Sequence, residues 1–373
     1  MKRLFVWLLL GVMAALFALP VVAQDAEATA EPVNYDPAAC FVAAATNDKM
    51  VKLDAKTGPF TIGLSNSYIG NAWRTQMLQM AQAFAETDSV KPLIKDLVVV
   101  STGDDVEAQI AAMDNMISLP VDAIVINAIN PTSFDAVVQR ATDAGIPVIS
   151  FDGVVNAPDA FVVNEDQVEF GGVMAKDLAE RMGGKGNVIM VNGVPGTSVD
   201  SDRIAGAKAA FAEYPDIKVL AELEGRWDSG TAQTVVSDFL ATQPQVDGVF
   251  VQGGTPGVIQ AFKDAKYEKL PPIAGEGENG FRMAMGSGEV AGISVAQTPG
   301  MITVAMQAAL ELLQGRELPR VISMPLPMVT SENAKEGVDY FADLPADFFT
   351  AIKIPVCGVD LDAKAILAIN VDK

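Results

Sequence analysis

The sequence predicts an α/β protein with two lobes, each of them a parallel sheet covered by helices on both faces. From Phe60 onward, short apolar segments alternate with segments of helical periodicity, which is the pattern of repeated strand–helix units. The strand segments are apolar throughout, as strands buried on both faces are. The pattern breaks at Asp152-Gly153 and starts again at Phe161, and 373 residues are more than one hydrophobic core usually serves.

Charge and composition exclude several classes of protein. The net charge of −21 opposes nucleic-acid binding and leaves no basic patch for an anionic membrane surface. The chain has no His, which removes Ser-His and Cys-His catalytic groups and the usual zinc sites. The Gly-rich segment 253–257 follows a strand and opens a helix, but it contains no Lys to contact a phosphate. We therefore expect no metal, no cofactor and no nucleic-acid partner.

The N-terminus has the three parts of a signal peptide. Lys2-Arg3 is basic, residues 4–19 are apolar, and small residues precede a cleavage site after Ala23. An uncleaved membrane anchor is the alternative, because the apolar run is nearly long enough to span a bilayer. Residues 1–23 therefore direct export, and we expect the mature protein in the periplasm or outside the cell.

Residues 24–57 are expected to form a tether and an N-terminal extension. Residues 24–37 are rich in Ala, Glu, Thr and Pro and have few large apolar side chains, which is typical of a disordered segment. Cys40 and Cys357 are the two cysteines of the chain. In an exported protein they can form one disulfide that ties the tail to the start of the fold, and the alternative is two free buried thiols.

Apolar runs and helical spacing place the elements of both lobes. The first lobe has strands at 60–64, 97–100, 123–126 and 147–151, and helices at 72–87, 106–118 and 132–144. The second series has strands at 161–163, 188–191, 219–223, 249–252, 272–274 and 293–296, and helices at 170–182, 201–214, 230–240, 257–265, 280–285 and 301–313. Beyond Pro319 the pattern loosens, and we interpret the remainder as a crossover and a tail.

Open α/β sheets bind ligands at the carboxyl ends of their strands, so the residues that follow the strands are the candidate site. These are amides, carboxylates, arginines and tryptophans, with no nucleophile–base pair among them. Such a set suits a polyol, because carboxylates and amides pair with ring hydroxyls, Arg binds adjacent oxygens, and indole rings cover apolar C–H faces. The candidates are Asn71, Trp73, Arg74, Asn127, Asp152, Arg203, Trp227, Glu276 and Gln297, together with Asn66, Asp228 and Gln252.

Each candidate also has a structural alternative. Arg203 falls in the first turn of its predicted helix, where the helix dipole disfavours a cation, so it needs either a ligand or a surface partner such as Asp200 or Asp202. The tryptophans can be ordinary packing residues, and Asn127 and Asp152 can cap turns or helices. The loop that contains Glu276 can be merely solvated. Their shared position at strand ends favours the joint functional interpretation.

Seven segments carry a resemblance to a known family, and their order and spacing are more specific than any one of them. They are TIGLSNSYIGNAWRTQM (61–77), VDAIVINAINPTSFDAVVQRATDAGIPVISFDG (121–153), NEDQVEFGG (164–172), GTSVDSDRIAGAKAAF (196–211), VDGVFVQGG (246–254), GEGENG (275–280) and ISVAQTPG (293–300). Together they resemble the periplasmic sugar-binding proteins of ABC transporters, in the ribose-binding-like, type I group.

The resemblance implies two Rossmann-like lobes joined by a hinge of several crossings, with a sugar bound in the cleft between them. It implies an N-terminal lobe of residues 58–163 and 298–327, a C-terminal lobe of 164–297 and 328–345, and a tail of 346–373. The chain departs from the family where Gly153, Gly253-Gly254 and Glu276-Gly277 stand in place of polar or aromatic residues. The ligand contacts carried over are Asn71, Trp73, Arg74, Asn127, Asp152, Arg203, Trp227, Glu276 and Gln297.

The resemblance therefore predicts a binding protein and not an enzyme. It would act as a monomer, capture a monosaccharide-like ligand and deliver it to the membrane permease of an ABC transporter. One alternative is a sensor that presents the ligand to a membrane receptor. Another is an exported carbohydrate-modifying enzyme that uses Asp152 and Glu276 as paired acid and base.

Overall fold

A computed structural model describes residues 35–242 and 245–371 of the chain. The predicted signal peptide and the part of the predicted tether before Tyr35 lie outside the described residues. In the described ranges, no helix has both the length and the apolar composition needed to cross a bilayer.

The strands are numbered here in chain order. They are β1 (Met50–Lys52), β2 (Phe60–Asn66), β3 (Ile94–Ser101), β4 (Ala123–Asn127), β5 (Val148–Phe151), β6 (Phe161–Asn164), β7 (Lys185–Asn192), β8 (Asp216–Glu224), β9 (Gly248–Val251), β10 (Ile273–Gly275), β11 (Gly292–Val295), β12 (Glu317–Pro319), β13 (Val321–Ser323), β14 (Met328–Thr330), β15 (Lys353–Ile354) and β16 (Val359–Asp360).

The α-helices lie mostly between successive strands. They are α1 (Pro37–Cys40), α2 (Ala72–Ala85), α3 (Val106–Ser118), α4 (Asp135–Asp143), α5 (Gln167–Arg181), α6 (Ser198–Phe211), α7 (Ser229–Thr242), α8 (Thr255–Asp264), α9 (Asn279–Gly286), α10 (Met301–Leu313) and α11 (Ala363–Leu367).

Two six-stranded sheets form the two lobes. The first has the order β13-β6-β5-β4-β2-β3 and is parallel throughout. The second has the order β14-β11-β10-β9-β7-β8 and is parallel except for the antiparallel edge strand β14. Apolar side chains from helices cover both faces of each sheet. The predicted two-lobed α/β fold is therefore confirmed, and each lobe has a topological switch point beside its first strand.

The chain passes between the sheets at three places in the hinge. Glu165 and Asp166 connect β6 to α5, residues 296–300 connect β11 to α10, and residues 324–327 connect β13 to β14. The carboxyl ends of the strands face these crossings in both lobes. Polar residues that follow the strands are thereby brought to one cleft.

Several helices begin earlier than their apolar periodicity predicts. The predicted helix from Ser201 begins at Ser198, because Thr197 is its N-cap and its hydroxyl accepts a hydrogen bond from the Asp200 amide at 3.3 Å. Arg203 consequently lies in the second turn and not in the first, so the expected conflict with the helix dipole is much reduced. The first turns of such helices are polar, and the apolar pattern starts only after them.

The N-terminal extension and the tail are folded onto the first lobe. Tyr35 already belongs to the folded part, since its hydroxyl donates to Glu311 at 2.8 Å, so the tether predicted through Pro37 ends earlier. Cys40 and Cys357 are joined by a disulfide. In the tail, β15 and β16 form a hairpin and α11 packs against α2, so the tail adds to the core of the first lobe.

Candidate functional site

The start of α2 places three polar or aromatic side chains at the cleft. Asn71 is the N-cap, and its side-chain oxygen accepts the Arg74 amide at 2.9 Å. The Trp73 indole donates to the carbonyl oxygen of Gln297 in the hinge at 2.9 Å. The Arg74 guanidinium donates to Asn66 at 3.0 Å and to Ser67 at 3.2 Å. These hydrogen bonds fix Arg74 within its own lobe and Trp73 against the hinge before any ligand is considered.

Asp152 stands at the end of β5 and pairs with Arg74. Its Oδ2 lies 3.2 Å from Nη2 of Arg74 and accepts a hydrogen bond from Nδ2 of Asn127 at 2.8 Å. Its φ of 55° lies in the left-handed region, which Asp and Asn enter more readily than most residues. The backbone therefore turns sharply here and presents the carboxylate to the cleft.

Asn127 supports this turn and does not reach the cavity wall. Besides donating to Asp152, its side-chain oxygen accepts the Gly153 amide at 3.1 Å. A Cβ at Gly153 would lie 2.3 Å from the carbonyl oxygen of Ala128, so no side chain fits at that position. The departure from the family at Gly153 thus follows from the close approach of two backbone segments.

Arg203 is buried in the second lobe, with 1% of its surface exposed. Its Nε donates to Oε1 of Gln167 at 2.8 Å, and its Nη1 donates to the carbonyl oxygen of Gln252 at 3.2 Å. Its guanidinium group stacks on the Phe170 ring, with the guanidinium carbon 3.7 Å from the ring centroid. The surface pair with Asp200 or Asp202 is therefore wrong, because neighbouring elements bury the side chain and supply other partners.

Glu276 is the carboxylate closest to Arg203. Its Oε2 lies 4.0 Å from Nη1 of Arg203, and its Oε1 accepts the Gln297 amide at 2.7 Å. Burial raises the pKa of Glu276 to about 8, although Arg203 opposes the shift. Near neutral pH this carboxyl is largely protonated, so the positive charge of Arg203 remains available to an acceptor in the cleft.

Gln297 links the two lobes through its side chain. Its Nε2 donates to Asp152 of the first lobe, and its Oε1 accepts from Nη2 of Arg203 of the second lobe. The amide therefore stands between the charged groups of the two lobes, where hydroxyl groups of a bridging ligand would make the same kinds of bond.

A small cavity lies among these side chains. Its volume is about 20 Å³, which is close to the space of one water molecule, so a sugar enters only if the lobes part or side chains turn. Trp227, whose φ of 56° is left-handed, packs its indole over Gly193 and forms one wall. The lining residues are Asn71, Trp73, Arg74, Asp152, Val199, Arg203, Trp227, Glu276, Gln297 and Phe349.

The cavity contains eight of the nine side chains carried over from the family, all except Asn127. Sequence reasoning missed Val199 and Phe349 in its walls. It also missed Gln167, which holds Arg203, although Gln167 lies within the quoted segment 164–172. No signal in the sequence pointed to Phe349.

Glu165, in the first hinge crossing, was also missed. It is buried, and both of its carboxylate oxygens lack a hydrogen-bond partner among the residues that the structure describes. Burial raises the pKa of Glu165 well above its usual range, against the attraction of Arg203. Burial without a hydrogen-bond partner among the described residues therefore favours the neutral form of the Glu165 carboxyl.

The site has the chemistry of a receptor for a hydroxylated ligand. Two arginines, two amides and two carboxyl groups offer donors and acceptors, and three aromatic side chains line the walls. Within residues 35–242 and 245–371, no cluster of His, Cys, Asp and Glu has the arrangement of a metal site.

Comparison with known proteins agrees with this chemistry. The periplasmic binding protein domain matches residues 62–317. A xylitol-binding protein of Mycolicibacterium smegmatis is 29% identical over 249 residues, which cover 66% of this chain and 71% of that protein. A ribose import binding protein of Bacillus subtilis is 25% identical over 279 residues, which cover 73% of this chain and 88% of that protein.

The solved structures show the same architecture. An ABC transporter solute binding protein from Thermobispora bispora has a TM-score of 0.70 at 32% identity, with 74% of this chain and 86% of that chain covered. These relatives are binding proteins and not enzymes. The chain belongs to the periplasmic binding protein family, among its type I sugar-binding members.

Proposed function

We propose that this protein captures a monosaccharide-like ligand between its two lobes and delivers it to the permease of an ABC transporter. One observation carries the proposal: the side-chain amide of Gln297 is hydrogen-bonded to Asp152 of the first lobe and to Arg203 of the second lobe. A ligand that replaces this amide contact with its own hydroxyls would touch both lobes at once.

Binding and closure are coupled in this proposal. A ligand that contacts both lobes binds the closed state better than the open one and shifts the population toward it. Selectivity comes from the buried charged groups, because a ligand that leaves one of them unpaired forfeits about 1–3 kcal/mol or more. The aromatic walls Trp73 and Trp227 suit the apolar face of a sugar or cyclic polyol.

The same geometry disfavours a glycosidase mechanism. Asp152 is committed to Arg74 and Asn127, and Glu276 accepts the Gln297 amide. The Asp152 carboxylate, one of the two groups that such a mechanism would need, is thereby not free to activate a water molecule. The relatives are named as binding proteins, which agrees with this conclusion.

We expect the working form to be an exported monomer. The net charge of −21 disfavours nucleic acid as a partner, and lobe closure gives a permease a surface that distinguishes the loaded protein from the empty one. Uptake of the bound sugar by vesicles that contain the cognate permease would test delivery. Uptake that proceeds equally well without the binding protein would contradict it.

A thermal-shift screen of the chain from Gln24 tests the binding step. The panel contains pentoses, hexoses, furanose forms, polyols and nucleosides. At a ligand concentration about 100 times Kd, native-state binding stabilises the fold by about 2.7 kcal/mol, which raises Tm by several degrees. A rise with one sugar or polyol supports the proposal. A rise with a nucleoside alone would overturn the ligand class, and no rise with any of them would overturn the proposal.

A further inference from the structure

A segment beyond the matched domain enters the cleft. Residues 341–352, here called the strap, follow the C-terminal lobe and lie outside the match at 62–317. On the second-lobe side, the Asn279 side chain donates to the carbonyl oxygens of Phe341 and Leu344, both at 2.9 Å. The Asn279 backbone amide donates to the carbonyl oxygen of Phe348 at 2.7 Å. Asn279, at the start of α9, therefore attaches the strap to the second lobe at three points between its first and its eighth residue.

The next residue of the strap is held by the first lobe. Nε2 of Gln76, on α2, donates to the carbonyl oxygen of Phe349 at 2.8 Å, and Oε1 of Gln76 accepts the Phe349 amide at 2.9 Å. Gln76 lies one turn after Trp73 on the same helix. The position of Phe349 is therefore tied to the helix that carries first-lobe side chains into the cavity.

The chain that follows the strap is attached to the first lobe. The disulfide joins Cys357 to Cys40, and the Asp36 amide donates to the carbonyl oxygen of Val356 at 2.8 Å. The Gln79 side chain of α2 donates to the carbonyl oxygen of Ile369 at 2.9 Å. The strap is thus a fourth connection between the lobes, with anchors on both.

Successive strap residues face different spaces. The side chain of Phe349 lines the cavity that holds Arg74, Arg203 and the two tryptophans. Phe348 and Thr350 instead line a groove of about 970 Å³ on the other side of the strap. Both phenylalanines are buried to a similar degree, with 3% of Phe348 and 5% of Phe349 exposed. They form a natural pair of test and control.

We propose that Phe349 is a specificity-determining residue of the sugar site, positioned there by Gln76 and by the strap; this inference rests on the proposed sugar-binding function. The ring completes an aromatic wall with Trp73 and Trp227, so it limits the size of the group that projects from the ligand toward the strap. Because Gln76 holds both backbone polar groups of Phe349, the wall keeps its place relative to Trp73. The ligands selected are those whose apolar C–H face fits between these rings.

The test measures affinity and ligand preference together. Isothermal titration calorimetry compares the wild type with Phe349→Ala, Phe349→Leu and Phe348→Ala, using D-ribose, xylitol, D-allose and L-arabinose as probes. We expect Phe349→Ala to weaken the best probe by at least about tenfold, as truncated aromatic anchors do. We also expect it to narrow the affinity ratio between the best probe and the next. Phe348→Ala lowers Tm but keeps that ratio.

The variants separate a role in the site from a role in the fold. Gln76→Leu, which removes both hydrogen bonds to Phe349, is expected to narrow the affinity ratio in the same direction. If Phe349→Ala fails to fold, Phe349→Leu still reports the change in preference. Wild-type affinity and preference in the folded Phe349 variants would overturn the inference while the proposed function stands. Binding of neither these four probes nor any other sugar or polyol of the thermal-shift panel by the wild type would overturn both.

Discussion

The two halves of the site differ in how completely their charges are paired. In the first lobe, Arg74 and Asp152 lie 3.2 Å apart, and each has further hydrogen bonds within its own lobe. In the second lobe, Arg203 and Glu276 are 4.0 Å apart, and burial holds the carboxyl largely protonated near neutral pH. The first half is therefore self-supporting, whereas the second half keeps an unneutralised cation that Gln297 of the hinge satisfies.

The two halves therefore contribute differently to the free energy of ligand binding. A preorganised half costs little on binding, because its side chains are already ordered. When a buried cation exchanges an amide oxygen for ligand oxygens, the binding free energy becomes more or less favourable according to the ligand's geometry. We infer that the first half sets the orientation of the ligand and that the second half sets the strength of closure.

The largest effect is expected for Arg203→Ala. It removes the cation on which the second half depends, so ligand affinity should fall by about 2–5 kcal/mol, the usual range for truncating one buried charged partner. Titration calorimetry with the sugar identified in the screen measures the loss. Arg181→Ala is the matched control, since Arg181 pairs with Glu332 on the same lobe away from the cavity. Equal affinity of Arg203→Ala and the wild type would refute the comparison.

Trp227→Ala should have the next largest effect. If the indole covers the ligand, its loss costs roughly 1–3 kcal/mol of binding, by analogy with aromatic truncations at interfaces. Trp227→Phe keeps an aromatic surface and should recover part of that loss in the same titration. An unchanged Kd in Trp227→Ala would make Trp227 a packing residue.

The variant Asn127→Ala tests whether hydrogen bonds within the first lobe hold Asp152 in place for the ligand. Asn127 is absent from the cavity wall but donates to Asp152 at 2.8 Å and accepts the Gly153 amide at 3.1 Å. A typical hydrogen bond contributes about 0.5–1.5 kcal/mol, so the loss of both should lower stability by about 1–3 kcal/mol. Affinity should fall by about 0.5–1.5 kcal/mol, because only the bond to Asp152 supports a residue of the cavity wall. Chemical denaturation and titration measure the two quantities. A loss of affinity as large as that of Arg203→Ala would show direct ligand contact instead.

The stability of the protein, and not its affinity for ligand, is expected to depend on pH through Glu276. Burial raises its pKa from 4.5 to about 8, so the folded state keeps a proton that the unfolded state loses. The stability that this proton contributes is therefore lost as pH rises from about 4.5 toward about 8. Arg203, Glu278 and Asp152 face this carboxyl and remain in every variant compared.

The variant Glu276→Gln isolates the contribution of Glu276 protonation to stability. The variant cannot titrate, so its Tm should fall less than the wild-type Tm between about pH 6 and about pH 8.5. Glu165, Glu278 and Asp200 also have raised pKa values, and all three remain in both proteins. Parallel Tm profiles would show that Glu276 is ionised in the folded state.

Local signals predicted much of the fold. The bounds of α3 and α10 follow from the sequence residue for residue, because their apolar periodicity begins at the first helical residue. The start of α6 was placed three residues late, because its first turn is polar. Asp152 and Arg203 were found because each comes after a buried strand, Asp152 directly and Arg203 in the helix that follows, which is a local feature of the chain.

Distant contacts explain what could not be predicted. Phe349 is held at the cavity by hydrogen bonds to Gln76, which is 273 positions away in the chain. The sequence around Phe349 has no clear helical or strand periodicity and does not indicate that pairing. Asn127 lies at the end of a strand, as the other ligand candidates do, but both polar atoms of its side chain are hydrogen-bonded to the turn after β5. Only the packing of the two strand ends distinguishes a supporting residue from a wall residue.

Closure of the two lobes on the ligand makes the molecule more compact, which small-angle X-ray scattering measures. The wild type and Arg203→Ala are measured with and without a saturating amount of the sugar that raises Tm most. Our account predicts that the sugar reduces the radius of gyration of the wild type and leaves that of Arg203→Ala unchanged. A wild-type radius that stays the same when the sugar is bound would contradict the claim that the ligand joins the two lobes.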